Sequence, residues 1–284
     1  RKAAFVAGAS SGIGLAFARA LSERQDVALV IASCRGGAES PHASSLASLG
    51  PKIRIVSADA TQPDSVDAAA ARAQSELQAA GLEALDVLVT CPGVLRVPQL
   101  KLPETTLRNV TYESMLLNLQ VNTMMPMLFM KHLVPLMYKS QRAVVAAVSA
   151  RVASQAENQM GGWYSYRASK AALNVLVRNV AIECRNNRKS VLAVAFHPGS
   201  VDTELGKPYH ANMPKDKLLT PDQSVQRMLA KMASLAAADS GGFFNFDGTC
   251  GSAAKGACCG AGWCCSAASI CGNSPAHCSI QKGC

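Results

Sequence analysis

The chain's absences narrow it first. It carries a net charge of +9, but its basic residues are dispersed and no long lysine or arginine run occurs. The footprint of a nucleic-acid binder is therefore missing, and no nucleic-acid partner is expected. No apolar run is long and clean enough to span a bilayer. The most hydrophobic stretch, Leu116 to Val134, is interrupted by Asn118, Gln120, Asn122, Pro126 and Lys131, so no membrane span is expected. No secretory signal is visible, although a start at Arg1 without methionine leaves room for an upstream segment. Cysteine is scarce up to Thr249: Cys34, Cys91 and Cys184 stand apart, as suits reduced thiols.

Two motifs carry chemistry. Tyr166 and Lys170 lie four positions apart, and a helix there turns a phenol and an ammonium to the same side. A tyrosine titrates near ~10 in water, and a cation within about 4–6 Å favours its phenolate, bringing it toward neutral pH, where acid/base work is efficient. Alone, the pair is a weak signal and reads first as a solvated helix face. Near the amino terminus, the apolar run Ala3–Ala7 leads into Gly8-Ala9-Ser10-Ser11-Gly12-Ile13-Gly14 and then the helix-like Leu15 to Leu21. Glycines there permit positive φ and close approach of backbone N–H groups to a phosphate, while the helix start adds partial positive charge. The spacing G-x-x-x-G-x-G departs from the generic dinucleotide fingerprint G-x-G-x-x-G.

Together these motifs resemble the short-chain dehydrogenase/reductase family, and further matches fall in order along residues 1–248. Asp59, after the apolar run Ile53 to Val56, sits where the family holds the adenine ring. Asn122 matches the family's helix asparagine, which helps bind a water in a proton relay. Pro198-Gly199-Ser200-Val201-Asp202-Thr203 looks like the P-G-x-x-x-T segment beside the nicotinamide, which implies cofactor contacts from Pro198, Gly199, Val201 and Thr203. The run Gly161-Gly162-Trp163-Tyr164 looks most like small carbonyl reductases of the C-factor and sniffer type. By resemblance, the cofactor-binding set is Gly8, Ser10, Ser11, Gly12, Ile13, Gly14, Arg35, Asp59, Gly93, Tyr166 and Lys170, with the four residues after the sixth strand. The implied chemistry is reversible hydride transfer to a small ketone or aldehyde, with Tyr166 donating the proton, Lys170 lowering its pKa and holding the nicotinamide ribose, and Asn122 anchoring the water.

Charge selects the cofactor form. A site for NAD usually places a carboxylate after the second strand, whereas a 2′-phosphate needs a cation. The run Val27 to Ile31 is followed by Ala32-Ser33-Cys34-Arg35, with no acid, and a guanidinium is a planar fork suited to phosphate, so NADP(H) is expected. Two departures count against the resemblance. Where the family commonly has N-N-A-G, this chain has Thr90-Cys91-Pro92-Gly93. Where it usually ends the fifth strand in Ser-Ser, Ser149 is followed by Ala150, and strand alternation turns Ser149 away from the face that Ala150 occupies. Ser154 is the expected substitute hydroxyl, and the fourth expected catalytic residue.

The scaffold reads as α/β, a doubly wound parallel sheet. Apolar runs at Ala3–Ala7, Val27–Ile31, Ile53–Val56, Val87–Val89, Val144–Val148 and Val191–Phe196 alternate with helical stretches such as Val66–Ala80 and Ala168–Glu183. Leu116 to Val134, with Met124, Met125, Met127 and Met130, is expected as a core helix and as a candidate homo-oligomer interface. Asp202 to Lys217 is expected to cover the substrate, though its composition does not name one. Asn109-Val110-Thr111 fits a glycosylation acceptor, a triplet common by chance.

From Cys250 the composition changes: eight of the eleven cysteines fall in the last 35 residues. So short a segment with that density is expected to be a disulfide-stapled module. The intervals of Cys250, Cys259, Cys264-Cys265-Ser266, Cys271-Gly272, Cys278 and Cys284 resemble the hevein-type chitin-binding module. That resemblance implies pairing of Cys250 with Cys265, Cys259 with Cys271 and Cys264 with Cys278, leaving Cys258 and Cys284 over. Zinc is the rival, but the intervals fit the module better than paired C-x-x-C knuckles, and no metal is expected. The positions that grip N-acetylglucosamine are Ala268, Ile270 and His277 rather than aromatic, with Trp263 nearby, so binding of chitin oligomers is an alternative and a structural tail the plainer reading. The halves imply different compartments, cytoplasmic for the reductase and secretory for the tail. A nucleotide-binding regulator that lost catalysis through Ala150 is a further alternative.

Overall fold

The computed structural model describes residues 1–96 and 102–249, and the backbone of the short antiparallel pair Cys264–Cys265 with Cys271–Gly272. The expected disulfide pairings and sugar-facing positions of the tail otherwise lie outside the described residues.

Seven strands form one sheet: β1 Lys2–Ala7, β2 Val27–Cys34, β3 Ile53–Ser57, β4 Val87–Thr90, β5 Ala143–Val148, β6 Val191–His197 and β7 Phe243–Asn245. Their spatial order is β3-β2-β1-β4-β5-β6-β7, and every pairing is parallel. Parallel strands covered on both faces need apolar side chains on both, which is why β1 and β5 read as nearly unbroken Ala/Val/Phe runs. The helices are α1 Gly12–Ser22, α2 Ala43–Ala47, α3 Pro63–Ala79, α4 Tyr112–Leu119, α5 Met125–Leu133, α6 Tyr164–Asn186 and α7 Pro221–Ser234. One face of the sheet carries α3, α5 and α6 over a core that includes Phe5, Leu88, Phe129 and Val177; the other carries α1, α2 and α7 over Phe17, Leu46, Phe196 and Met228. The doubly wound architecture expected from the alternation is therefore present.

Three details depart from the expected elements. The Leu116–Val134 stretch is not one helix: α4 ends at Leu119, a π turn spans Gln120–Met124, and α5 follows. Met125 and Met130 are buried as expected, but Met124 is half exposed. Strand β7 is too short to show a period in sequence; Gly241, left-handed at φ 86°, aims it beside β6, where Phe244 is fully buried. Helix α7 is set by a capping box in which the Thr220 hydroxyl accepts the Gln223 N–H at 3.2 Å and the Gln223 side chain accepts the Thr220 N–H at 2.9 Å. Thr111, from the glycosylation-like triplet, caps α4 by accepting the Ser114 N–H at 3.1 Å. No helix among the described residues is long and apolar enough to cross a membrane.

The strand order reverses between β1 and β4, and parallel sheets bind ligands in the crevice outside the carboxyl ends of the strands at such a point. The loops after β1, β4, β5 and β6 all end there.

Candidate active site

Glycine lets these loops meet. Gly8 and Gly12 are left-handed, at φ 71° and 52°. A Cβ on Gly14 would lie 2.1 Å from the Gly8 carbonyl oxygen, one on Gly8 3.0 Å from the Pro92 nitrogen, and one on Gly12 3.1 Å from Thr203 Cγ2. The first turn of α1 thus folds onto the end of β1, with the β4 loop behind it and the Pro198–Thr203 segment over it. Ser33, buried near the end of β2, holds the loop: its hydroxyl accepts the Gly8 N–H at 3.3 Å and its carbonyl accepts the Ala9 N–H at 2.8 Å. Ser10 is half-buried and Ser11 exposed, and Ser11 precedes α1 without capping it by its side chain, while Ile13 packs on the core below. The N–H groups of a helix's first turn have no partner within the helix, so this start presents donors and partial positive charge to a phosphate.

Arg35 is exposed just past β2, and Asp59 stands past β3 on the same edge. Asp59 accepts the Thr61 N–H and hydroxyl, both at 2.8 Å. The Thr61 backbone bond, more than any other group, holds its carboxyl below the ordinary range against partial burial, and the Arg35 guanidinium adds to the effect. With no acid from Ala32 to Arg35, this edge fits a ribose carrying a 2′-phosphate, and the glycine cradle, which any Cβ would fill, fits a pyrophosphate.

Helix α6 begins after three left-handed residues, Gly161 (φ 63°), Gly162 (φ 65°) and Trp163 (φ 52°). That backbone costs a tryptophan about 1–3 kcal/mol, so the surroundings must impose it. They do: the Trp163 N–H donates to the Glu104 carbonyl at 2.5 Å, and the Arg167 guanidinium donates to the carbonyls of Gly162, Gly161 and Val152 at 3.0–3.1 Å. The buried Glu104 carboxylate accepts the Ser165 hydroxyl, while its other oxygen has no hydrogen-bond partner among the described residues. Sequence offered no signal for Glu104, whose contact spans sixty-one positions.

Tyr166 and Lys170 point inward together, at 8% and 2% exposure. Lys170 Nζ donates to the Val148 carbonyl at 2.9 Å and reaches the Pro92 carbonyl at 3.4 Å, tying the ends of β5 and β4 to α6. Burial lowers its pKa to about 8, with nearby Cys91 opposing. One expectation is corrected here. Burial pushes the Tyr166 phenol above its ordinary value, and Lys170 does not bring it down, because the ammonium is committed to backbone carbonyls and is itself desolvated. Cys91, standing where the family has asparagine, is a free thiol pushed up to about 12 by burial.

Asn122 is fully buried in the π turn. Its Oδ1 accepts the Val94 N–H at 2.8 Å; the two N–H bonds of its Nδ2 are shared among the Val94 carbonyl at 2.8 Å and Asn118 Oδ1 and Ser169 Oγ, both at 3.0 Å. The side chain is thus spent on fixing the β4 loop to α6. Four positions on stands Pro126, which has no N–H to close an α-helical bond onto the Asn122 carbonyl, in keeping with the π turn there.

The Ser149 hydroxyl faces α6, donating to the Lys170 carbonyl at 3.5 Å, while Ala150 packs with Leu95 against Tyr166, as alternation requires. The Ser154 hydroxyl accepts the Glu157 N–H at 3.3 Å in the following turn. Beyond β6, the Pro198 carbonyl accepts the Ser224 hydroxyl of α7 at 2.6 Å, Gly199 is left-handed at φ 84° with Phe246 against it, and Val201 bridges to Leu219. Gly93 faces Leu205, just past Thr203. Trp163, Leu205 and Tyr209 close over Tyr166, with Trp163 edge-on to it at 6.2 Å and tilted against Tyr209 at 5.0 Å. Tyr209, in a segment with no readable substrate chemistry, is the site residue that the sequence hid.

Comparison with known proteins agrees with this geometry. Residues 2–214 match the family model "short chain dehydrogenase". The chain is 31% identical over 245 residues, 86% of it and 96% of the relative, to 1-hydroxy-2-glutathionyl-2-methyl-3-butene dehydrogenase of Rhodococcus sp. (strain AD45). It is 34% identical over 165 residues, 58% of it and 90% of the relative, to the C-signal protein of Myxococcus xanthus. Among solved structures, the NADPH-bound carbonyl reductase from chicken fatty liver superposes with a TM-score of 0.76 at 30% identity, covering 87% of this chain and 92% of that one. The carbonyl reductase Sniffer of D. melanogaster shares the fold, with a TM-score of 0.73 at 24% identity over 87% and 96% of the two chains. A glycine cradle at the switch point, a buried tyrosine–lysine pair behind it and a family match over most of the length make this chain a member of the short-chain dehydrogenase family.

Proposed function

We propose that the protein is an NADP(H)-dependent oxidoreductase that reduces a small carbonyl compound, or oxidises the corresponding alcohol, with Tyr166 as acid/base. The observation that carries this reading is the placement of Tyr166 and Lys170, buried together on α6 where the loops after β1, β4 and β6 converge. The reductases of chicken liver and of the fly, whose folds superpose on this one, support the carbonyl substrate, and the NADPH of the former supports the cofactor.

When bound, the nicotinamide supplies a hydride to the carbonyl carbon. Tyr166 gives its proton to the carbonyl oxygen. With its phenol raised by burial, Tyr166 is protonated at neutral pH and ready as the acid of the reducing direction. Lys170 adds positive charge behind it, and Asn122 holds the β4 loop and α6 in register. The α1 start with Gly8, Ser10, Ser11, Gly12, Ile13 and Gly14 would hold the pyrophosphate, Arg35 the 2′-phosphate, Asp59 the adenosine edge, and Gly93 with Pro198, Gly199, Val201 and Thr203 the nicotinamide side. Steady-state assays of aldehydes and ketones with NADPH and NADH test the reading: turnover favouring NADPH is expected, and no turnover with either cofactor by folded protein refutes it.

For the tail, the reading is a hevein-like module from Cys250, separate from the reductase domain of residues 1–248 and supported by its cysteine spacing. Retention on chitin beads of the full chain beside a version ending at Thr249 tests it; equal retention removes carbohydrate binding.

A further inference from the structure

As a carbonyl is reduced, negative charge develops on its oxygen, and donors aimed at that oxygen lower the barrier. Tyr166 is one donor. The neighbouring position that a serine would fill is apolar here, since the Ala150 methyl packs with Leu95 on Tyr166. Of the nearby serines, Ser149 donates its hydroxyl to the Lys170 carbonyl, and Ser154 Oγ accepts the Glu157 N–H of its own turn. One hydroxyl over the same cluster has no partner of either kind. The Tyr209 oxygen is buried without a hydrogen-bond partner among the described residues, and its ring leans at 5.0 Å on Trp163, which stands edge-on to Tyr166. Buried hydroxyls are almost always hydrogen-bonded, so an orphan one ring removed from an acid/base tyrosine calls for a ligand.

The turn that carries Tyr209 is not adrift. The Tyr209 N–H donates to the Gly206 carbonyl at 2.9 Å, and the Gly206 N–H to that of Thr203 at 3.0 Å, so the ring is built on the segment that meets Gly12 of the phosphate loop. Burial raises the phenol's pKa, with Arg96 opposing, which keeps it protonated and therefore a donor. Leu95, Val152 and Leu205 belong to the same apolar cluster.

We infer that Tyr209 is a second catalytic residue, donating a hydrogen bond to the substrate carbonyl oxygen in place of the serine that Ala150 replaces, and that the substrate is an apolar, preferably aromatic, carbonyl compound lying against Trp163. The inference rests on the carbonyl reduction proposed above.

The test compares wild type, Tyr209→Phe, Ala150→Ser and the double variant as full chains with NADPH and a series of aromatic and aliphatic aldehydes and ketones. Tyr209→Phe lowers kcat/KM by ~10²–10³-fold, as loss of one oxyanion donor does, while the NADPH dissociation constant is unchanged. Ala150→Ser in the Tyr209→Phe background restores most of the loss, because it returns a hydroxyl to the same oxygen. A carboxamide isostere of the best substrate, which accepts the same hydrogen bond without being reduced, binds the NADPH-loaded variant about tenfold more weakly, equivalent to ~1.4 kcal/mol. Turnover by wild type with Tyr209→Phe unimpaired overturns the inference alone, as does a loss that Ala150→Ser leaves unrepaired or that falls on NADPH affinity. A wild type that reduces no carbonyl compound refutes the parent reading.

Discussion

Replacing Gly14 with alanine is the sharpest probe of the phosphate cradle. The added Cβ would lie 2.1 Å from the Gly8 carbonyl oxygen, 2.9 Å from the Gly8 carbon and 3.0 Å from Ala9 Cα. All three are backbone atoms, so no rotamer change relieves the overlap. To reach ordinary contact at about 3.4 Å, the start of α1 and the end of β1 must separate by about an ångström, and overpacking of that kind costs ~1–3 kcal/mol. For a domain of this size, each kcal/mol lowers Tm by about 2–4 °C, which gives a fall of roughly 2–12 °C. The displaced N–H groups are the ones proposed to meet the pyrophosphate, so NADPH affinity falls in parallel, by ~10–100-fold if 1.4–2.8 kcal/mol of that binding is lost. Gly81→Ala is the control: Gly81, unlike Gly14, is left-handed, at φ 64°, but nothing lies within 4 Å of its Cβ position, so it carries only the backbone penalty of ~1–2 kcal/mol and leaves NADPH binding intact. Thermal unfolding and quenching of tryptophan fluorescence by NADPH read both effects. A Gly14→Ala protein with wild-type Tm and wild-type affinity refutes the cradle.

Tyr166→Phe is expected to lower kcat by at least ~10²-fold while NADPH still binds through the α1 cradle, since the proton donor is removed and the ring stays; single-turnover kinetics check this. Arg35→Asp reverses the cofactor preference toward NADH, read as the ratio of kcat/KM for the two forms; an unchanged ratio takes Arg35 out of the site. Asn122→Leu strands the Val94 N–H and carbonyl and costs roughly 2–6 kcal/mol in urea unfolding, at ~1–3 kcal/mol for each unsatisfied buried group. The Lys170 pKa, lowered from 10.5 to about 8, means that the native state sheds this proton before the unfolded chain does, so stability rises with pH between about 8 and 10. Above 10 the raised Tyr166 works the other way, because the unfolded chain ionises first. Urea unfolding of wild type and Lys170→Met across that window checks the sign: the wild type gains on the variant as pH rises, and a flat difference refutes it.

Strands β1, β2, β4, β5 and β6 were legible because they lie buried along most of their length and show a β-branched or alanine run, β3 because Ile53, Ile55 and Val56 stand out in a polar stretch, and the glycine loop because its conformation needs glycine itself. Helix α7 was legible in principle from Thr220 and Gln223. Strand β7 was not, since three residues show no period and Gly241 sets their direction. The Tyr166–Lys170 face followed from helical spacing, but the direction of the tyrosine's shift did not. Spacing places two groups side by side, whereas their pKa values depend on burial and on the Val148 and Pro92 carbonyls that claim the ammonium. The break at Gln120–Met124 carried a partial signal in Pro126, and the role of the Asn122 amide depended on partners 28 and 47 residues away. Glu104 and Tyr209 come to the site through loop contacts that no local pattern encodes.

Transfer of deuterium from C4-deuterated NADPH to an aromatic aldehyde tests the central claim most directly. The account predicts label at the carbinol carbon of the alcohol formed by wild type, and almost none from Tyr166→Phe protein that still binds NADPH. Label transferred equally by both proteins, or by neither although the cofactor is bound, contradicts it.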